Sequence, residues 1–154
     1  MTVALALALA SFVAAGPVAA AQPATGGNAG QAVFSMEPAE GDSPEILKYK
    51  AALRLFSGAQ AVHQLTRKCQ SEAAWKGYEK RNGNTLAQVV KNFKLGGGLG
   101  KPQKTAIDAY ADGQVKEALS EKNCDGILRD IGSQEWDIYS GRRFSEDYAI
   151  IKSK

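Results

Sequence analysis

The apolar residues between Ser43 and Lys80 recur every three or four positions, which is the spacing of one face of an α-helix. Ser43-Pro44 has the chemistry of a helix N-cap followed by a proline in the first turn. The pattern predicts a first helix that carries Cys69 toward the core and continues or kinks into Ser71 to Lys80. Its two apolar stripes are Ile46, Tyr49, Leu53 and Phe56, and then Leu55, Ala59, Val62, Thr66 and Cys69.

A turn is predicted at Asn82-Gly83-Asn84, because asparagine and glycine favour turn conformations. A second helix then begins at Asn84 or Thr85 and ends before Gly96-Gly97-Gly98, where three glycines cost too much backbone entropy. We expect its apolar stripe to pack in the core against Ile107 and Leu119. That stripe consists of Leu86, Val89, Val90 and Phe93.

A third helix is predicted from Pro102, with Asp112-Gly113 as the position of a kink, and a short helical face follows Cys124. The segment from Trp136 to Tyr139 alternates as a strand does, so a short C-terminal hairpin and a last short helix near Ser145 remain alternatives. The fold class is therefore mainly α, a small single-domain bundle of about four to five helices. The apolar positions of the third helix and of the face after Cys124 are Ile107, Tyr110, Ala111, Val115, Ala118, Leu119, Ile127, Leu128 and Ile131.

The apolar N-terminal segment has the composition of an export signal, although it contains no Lys or Arg. We expect residues 1–21 to be a signal peptide with cleavage after Ala21; an uncleaved anchor is the alternative. Residues 22–44 are rich in Gly, Pro and Ala and are expected to form a flexible leader in which Val33, Phe34 and Met36 dock locally. Residues 45–154 then form the helical domain, with no stable membrane insertion after cleavage.

Cys69 and Cys124 are the only two cysteines in the chain. An exported chain meets an oxidising environment, so we expect them to form one disulfide in a periplasmic or secreted protein. A metal site is not predicted, because the sequence has a single histidine and no pair of cysteines at metal-ligand spacing. No cofactor is predicted either.

Positive charge is concentrated in residues 67–104, where nine basic and two acidic residues give a net charge of +7 within a chain of net charge +3. Such a segment indicates a face that binds an acidic protein or an anionic component of the cell envelope. The alternative is a solvated surface with no partner. Export and the scarcity of aromatic residues argue against nucleic acid. The residues predicted to bind the partner are Trp75, Lys76, Lys80, Arg81, Lys91, Lys94 and Lys101.

Catalytic patterns are weak. His63 is the only histidine, has no nucleophile elbow to accompany it, and is expected to be a partly buried structural residue. Glu72 or Glu135 could serve as the carboxylic acid of a small cell-wall glycoside hydrolase, and Glu79 shares a helix face with Glu72. A carrier of a small apolar ligand is a further alternative. The leading hypothesis is a non-enzymatic binding protein of the inhibitor, immunity or chaperone-like type.

Overall fold

The computed structural model describes residues 34–133 and 141–154, and for residues 141–144 it describes the backbone alone. Within these residues the chain is a small all-helical domain with one disulfide and no strand, as predicted. Trp136 to Tyr139 of the predicted hairpin lie outside the described residues, whereas the residues after them form a helix. The helices are α1 Pro44–Lys68, α2 Glu72–Asn92, α3 Lys101–Glu121, α4 Cys124–Ser133 and α5 Gly141–Lys152.

Helix α1 is the centre of the domain, because it packs against each of the other four helices. It begins as predicted: the Ser43 hydroxyl accepts a hydrogen bond from the Ile46 amide at 3.3 Å, and Pro44 occupies the first turn. A helix with neighbours on several sides is buried over most of its circumference, which explains its two apolar stripes. Small residues at its buried positions let the neighbours approach closely; they are Ala51, Ala52, Ser57, Gly58 and Ala61.

Helix α1 ends at Lys68 instead of continuing into Ser71. Gln70 adopts a left-handed conformation with φ of 53°. The amides of Gln70 and Ser71 bond to the carbonyls of Arg67 and Thr66 at 3.1 and 2.8 Å. This is the Schellman arrangement that commonly ends a helix, here with glutamine where glycine is usual. Ser71 then caps α2 by accepting a hydrogen bond from the Ala74 amide at 3.3 Å, so the two helices meet at a sharp corner.

The predicted turn at Asn82-Gly83-Asn84 is wrong, because α2 passes through these residues without interruption. The Asn82 side-chain amide donates to the Tyr78 carbonyl one turn earlier, at 3.2 Å. One glycine inside a helix costs about 1 kcal/mol relative to alanine. Burial of Tyr78 on one side and of Val89 on the other outweighs that cost. Residues predicted to lie on two helices therefore lie on one.

The second helix boundary lies near the predicted position but has a different cause. Helix α2 ends at Asn92, and Lys94 takes a left-handed conformation with φ of 55°. The Leu95 amide bonds to the Val90 carbonyl at 2.9 Å, so the helix ends before the glycine run begins. Helix α3 starts at Lys101 and runs through the predicted kink position Asp112-Gly113 as one helix.

Two clusters of buried apolar residues form the core. One joins α1 and α2 to α3 and α4, and it includes Val62, Leu65, Tyr78, Val115 and Ile131. The disulfide between Cys69 and Cys124 joins the end of α1 to the start of α4, with a Cα separation of 5.3 Å, which confirms the predicted pairing. The other cluster joins α1 to the ends of α2 and α3 and includes Met36, Leu53, Leu55, Val89 and Ile107.

The predicted packing of the α2 stripe is correct in part. Val89 is buried in the same cluster as Ile107, and Val90 and Phe93 pack against that cluster from its edge. Leu86 packs against the other cluster. Leu119 is 40% exposed, so its predicted place in the core is wrong. Its neighbour Ala118 takes the buried position on α3.

The segment that precedes α1 is attached to the domain from residue 34 onward. Met36 is buried, and the ammonium group of Lys50 on α1 donates to the Glu37 carbonyl at 3.0 Å and to Asp42 at 2.8 Å. This hydrogen bond to Lys50 is the main reason that the pKa of Asp42 lies below its ordinary value. Arg54 also donates to the Met36 carbonyl. The described part of the predicted leader is therefore part of the folded domain.

Candidate binding surface

Because α2 is continuous, three of its lysines share one face. Lys76 and Lys80 are four residues apart, and Lys91 follows eleven residues later, which is close to three full turns. All three are exposed, and they span about 22 Å at a rise of 1.5 Å per residue. We call Lys76, Lys80 and Lys91 the lysine face.

Most residues beside these lysines are small and uncharged; the exception is Glu79, which is exposed and lies next to Gly83. Ala73, Asn84 and Ala87 are exposed on the same side of α2, and Gly83 is half-buried there. None of them is long enough to cover a lysine side chain. The lysine face is therefore a row of long cationic side chains that project beyond their shorter neighbours.

Two acidic residues of α2, Glu72 and Glu79, lie beside this row, and Glu72 neutralises part of it. Glu72 lies one turn before Lys76 and binds its ammonium group at 2.8 Å, with both side chains more than two-thirds exposed. The hydrogen bond to the partner, and then its charge, lower the pKa of Glu72 and raise that of Lys76. A glycosidase acid needs a raised pKa, so the environment of Glu72 does not suit that role. The other candidate acid, Glu135, lies outside the described residues.

The remaining predicted binding residues have different surroundings. Arg81 donates a hydrogen bond to the Ile131 carbonyl, so it links α2 to α4. Lys94 and Lys101 are exposed, but they lie in the loop after α2 and at the first position of α3. The helical repeat of α2 therefore does not relate them to the lysine face.

Trp75 belongs to a short row of aromatic rings rather than to the lysine face. Its ring lies 5.8 Å from that of Tyr78 in a stacked arrangement, and 4.7 Å from that of His63 in a tilted one. Burial raises the pKa of the Tyr78 phenol far above its ordinary value, so Tyr78 stays neutral at physiological pH. His63 is exposed, and the expectation of a partly buried residue is wrong.

An open groove of about 320 Å³ lies where α1 and α2 meet. We call it the corner groove. Its walls come from the last turns of α1, from the residue in the left-handed conformation and from the first turn of α2. The Thr66 hydroxyl donates to the His63 carbonyl at 3.0 Å behind one wall. The lining residues are His63, Thr66, Arg67, Gln70, Ser71, Glu72 and Trp75.

The sequence predictions missed the corner groove because it depends on the end of α1. A helix that continued from Thr66 into Ser71 would have no corner at this place. The signal was present in part: Ser71 is a good N-cap residue, and His63 and Arg67 are four apart on one helix face. Glutamine at the left-handed position hid the helix end, since glycine is the usual residue there.

The comparisons with known proteins do not constrain the function. No protein-family model matches the sequence, and no curated protein or solved structure is significantly similar to it. Among the described residues, no helix has the length and apolar character needed to cross a membrane. In the same part of the chain, no three side chains of the His, Cys, Asp and Glu types come together as metal ligands would.

Proposed function

We propose that this protein is a non-enzymatic binding protein of the cell envelope or the exterior, and that its lysine face binds an anionic polymer. The observation that carries the proposal is the uninterrupted α2, which relates Lys76, Lys80 and Lys91 by whole helical turns. A linear chain of negative charges running along α2 would meet all three ammonium groups. The basic segment thereby becomes one extended surface.

The composition of the lysine face favours a polymer over a folded acidic protein. Protein interfaces are enriched in aromatic residues and arginine at their centres, and they are depleted in lysine and alanine. On the side of α2 that carries the lysines, the small exposed residues Ala73, Asn84 and Ala87 offer no anchor for a pocket. Flexible lysines suit a ligand whose charges repeat and whose exact register is unimportant.

The distribution of charge over the rest of the domain supports an oriented approach. Residues 105–154 contain ten acidic and seven basic residues, against the +7 of residues 67–104. On α3, Asp108, Asp112, Glu117 and Glu121 are all exposed. Helix α3 also carries the exposed lysines Lys101, Lys104 and Lys116, so its three basic and four acidic residues give a net charge of −1, against +2 for the four basic and two acidic residues of α2. This asymmetry favours encounter of an anionic polymer through α2.

The proposed location rests on the disulfide. Disulfides persist in the periplasm and outside the cell and are rare in the cytosol. The bond between Cys69 and Cys124 therefore supports a periplasmic or secreted protein, consistent with the expected signal peptide.

The test compares two variants with the same net charge. Lys80→Glu/Lys91→Glu alters the lysine face, whereas Lys116→Glu/Lys154→Glu makes the same charge change at exposed residues of α3 and the C-terminus. Each oxidised protein is passed over a sulfated polysaccharide and over uncharged dextran. We expect wild type and the α3 variant to be retained by the sulfated column and released as salt screens the charges, and the α2 variant to flow through.

Two results would contradict the proposal. Equal loss of retention in both variants would show that only the net charge matters. Weak retention of the wild type on the polysaccharide, together with strong retention on immobilised polyglutamate, would favour an acidic protein as the partner.

A further inference from the structure

The corner groove contains a cation with no partner. Within residues 34–133 and 141–154, no carboxylate lies at ion-pair distance from the guanidinium of Arg67, and the side chain is exposed. The one carboxylate that lines the groove, Glu72, already binds Lys76 at 2.8 Å. The groove and its rim therefore carry one uncompensated positive charge, which favours a singly charged anion over a doubly charged phosphate ester.

The other residues that line the groove indicate the chemistry of the uncharged part of the ligand. The indole of Trp75 offers apolar surface, and Gln70 offers an exposed amide. The Ser71 oxygen accepts a hydrogen bond from the Ala74 amide, a bond that does not use the hydroxyl proton. Such a mixture of aromatic surface with amide and hydroxyl groups suits a ring that carries several hydroxyls. An open groove with this polar lining does not suit a hydrocarbon chain.

We propose that the corner groove binds one acidic sugar unit. The carboxylate pairs with the guanidinium of Arg67, which can donate two parallel hydrogen bonds to it. His63, one turn before Arg67 on α1, provides a further ring N–H on the same side. The sugar ring lies against Trp75, with its hydroxyls toward Gln70 and Ser71. This site goes beyond the polymer-binding function, because Lys80 and Lys91 take no part in it.

The groove is held in shape before any ligand arrives. Cys69 lies between the α1 wall and Gln70, and its disulfide to Cys124 joins this end of α1 covalently to α4. The Schellman hydrogen bonds hold the backbone of Gln70 and Ser71, and the ring contact with Trp75 restricts His63. A preformed site loses less conformational entropy on binding, which matters most for a ligand as small as one sugar.

The test uses Trp75 as the reporter in the oxidised full-length protein. Trp136→Phe removes the second tryptophan, so that fluorescence changes report Trp75 alone. The protein is titrated with sodium glucuronate, with glucose and with sodium acetate at equal ionic strength. We expect a saturable change with glucuronate and at least tenfold weaker responses to glucose and acetate, because each of those lacks one half of the recognised ligand.

Two variants in the same background assign the site. Arg67→Gln should weaken glucuronate binding about tenfold or more, since a hydrogen bond to a charged group contributes about 1.5–3 kcal/mol. Lys80→Glu/Lys91→Glu should bind glucuronate as the parent does, even though it loses retention on the polymer. The melting temperature of each variant is measured to show that the domain remains folded, and the indole N–H resonance of Trp75 gives a second readout of binding.

The outcomes separate this site from the lysine face. No saturable change with glucuronate, binding of glucose or acetate as tight as that of glucuronate, or unaltered binding by Arg67→Gln would each overturn the groove proposal. None of these results bears on the lysine face, because polymer binding is tested separately by retention on the sulfated polysaccharide. Loss of glucuronate binding in Lys80→Glu/Lys91→Glu would likewise overturn the groove proposal, since the sugar would then bind on the lysine face.

Discussion

The two halves of α1 use positive charge in opposite ways. In the first half, Arg54 is 5% exposed and donates to both carboxylate oxygens of Asp147 on α5 and to the Met36 carbonyl. In the last turn of the second half, Arg67 is exposed and has no carboxylate partner in the described part of the chain. The same residue type therefore holds the fold together in one half and is available to a ligand in the other.

The comparison extends to what fixes each half. Buried charges and hydrogen bonds join the first half of α1 to residues 36–42 and to α5, where Lys50 also pairs with Asp42. A covalent bond between Cys69 and Cys124 joins the last turn of α1 to α4. In the second half of α1, this covalent bond takes the place that buried ion pairs have in the first half.

The largest expected effect comes from removing Arg54. Arg54→Ala removes the buried guanidinium that pairs with the Asp147 carboxylate, which should cost about 3–5 kcal/mol of the free energy of unfolding. Arg67→Ala is the matched control in the other half of α1 and should change that free energy by less than about 0.5 kcal/mol. Urea unfolding followed by circular dichroism measures both. A similar loss in the two variants would contradict the division of α1 into a structural and an available half.

The disulfide should have the next largest effect, and a local one. Cys69→Ala/Cys124→Ala opens a loop of 55 residues and should lower the free energy of unfolding by about 2–5 kcal/mol. Because the bond joins α1 to α4, amide hydrogen exchange should accelerate more in α4 than in α5, which the Arg54 pair holds. Uniform acceleration in both helices would show that the two ends of the domain are not held independently.

Local and repeating features of the fold were predictable from the sequence. The start of α1 followed from Ser43-Pro44, its core face from the period of its apolar residues, and the disulfide from the count of two cysteines together with the expectation of export. The first two depend on residues that are close in sequence, and the third follows because two cysteines allow only one intramolecular pairing. At Asn82-Gly83-Asn84 residue preference favoured a turn where α2 continues, whereas near Gln70 the sequence left a continuous and a kinked helix open and did not predict that α1 ends there.

Contacts between distant residues were not predictable. Arg54 and Asp147 are 93 residues apart, and no local pattern shows that these two charges meet in the core. The corner groove depends on the end of α1, which the sequence did not place. The exposed His63 was therefore missed, as was Arg67, which has no carboxylate partner among the described residues. The three lysines of the lysine face were named as binding residues from the sequence. That they lie on one surface follows only from the continuity of α2.

The smallest expected effect tests that continuity directly. Gly83 lies in the interior of α2, and a methyl group added there would meet only the Glu79 side chain, at the ordinary contact distance of 3.6 Å. Gly83→Ala should therefore stabilise the domain by about 0.4–1 kcal/mol, because alanine loses less backbone entropy in a helix. If Gly83 instead occupied a turn with positive φ, the same change would destabilise the domain.

Urea unfolding measures the sign of the Gly83→Ala effect, and retention on the sulfated polysaccharide measures its consequence for binding. The methyl group adds no charge, so the spacing of Lys76, Lys80 and Lys91 along α2 should be unchanged and retention should equal that of the wild type. Gly41→Ala is the contrasting control, because Gly41 has a φ of 87° and alanine is strained there. A loss of stability in Gly83→Ala as large as that in Gly41→Ala would mean that α2 is interrupted at residue 83, and the lysine face would then no longer be one surface.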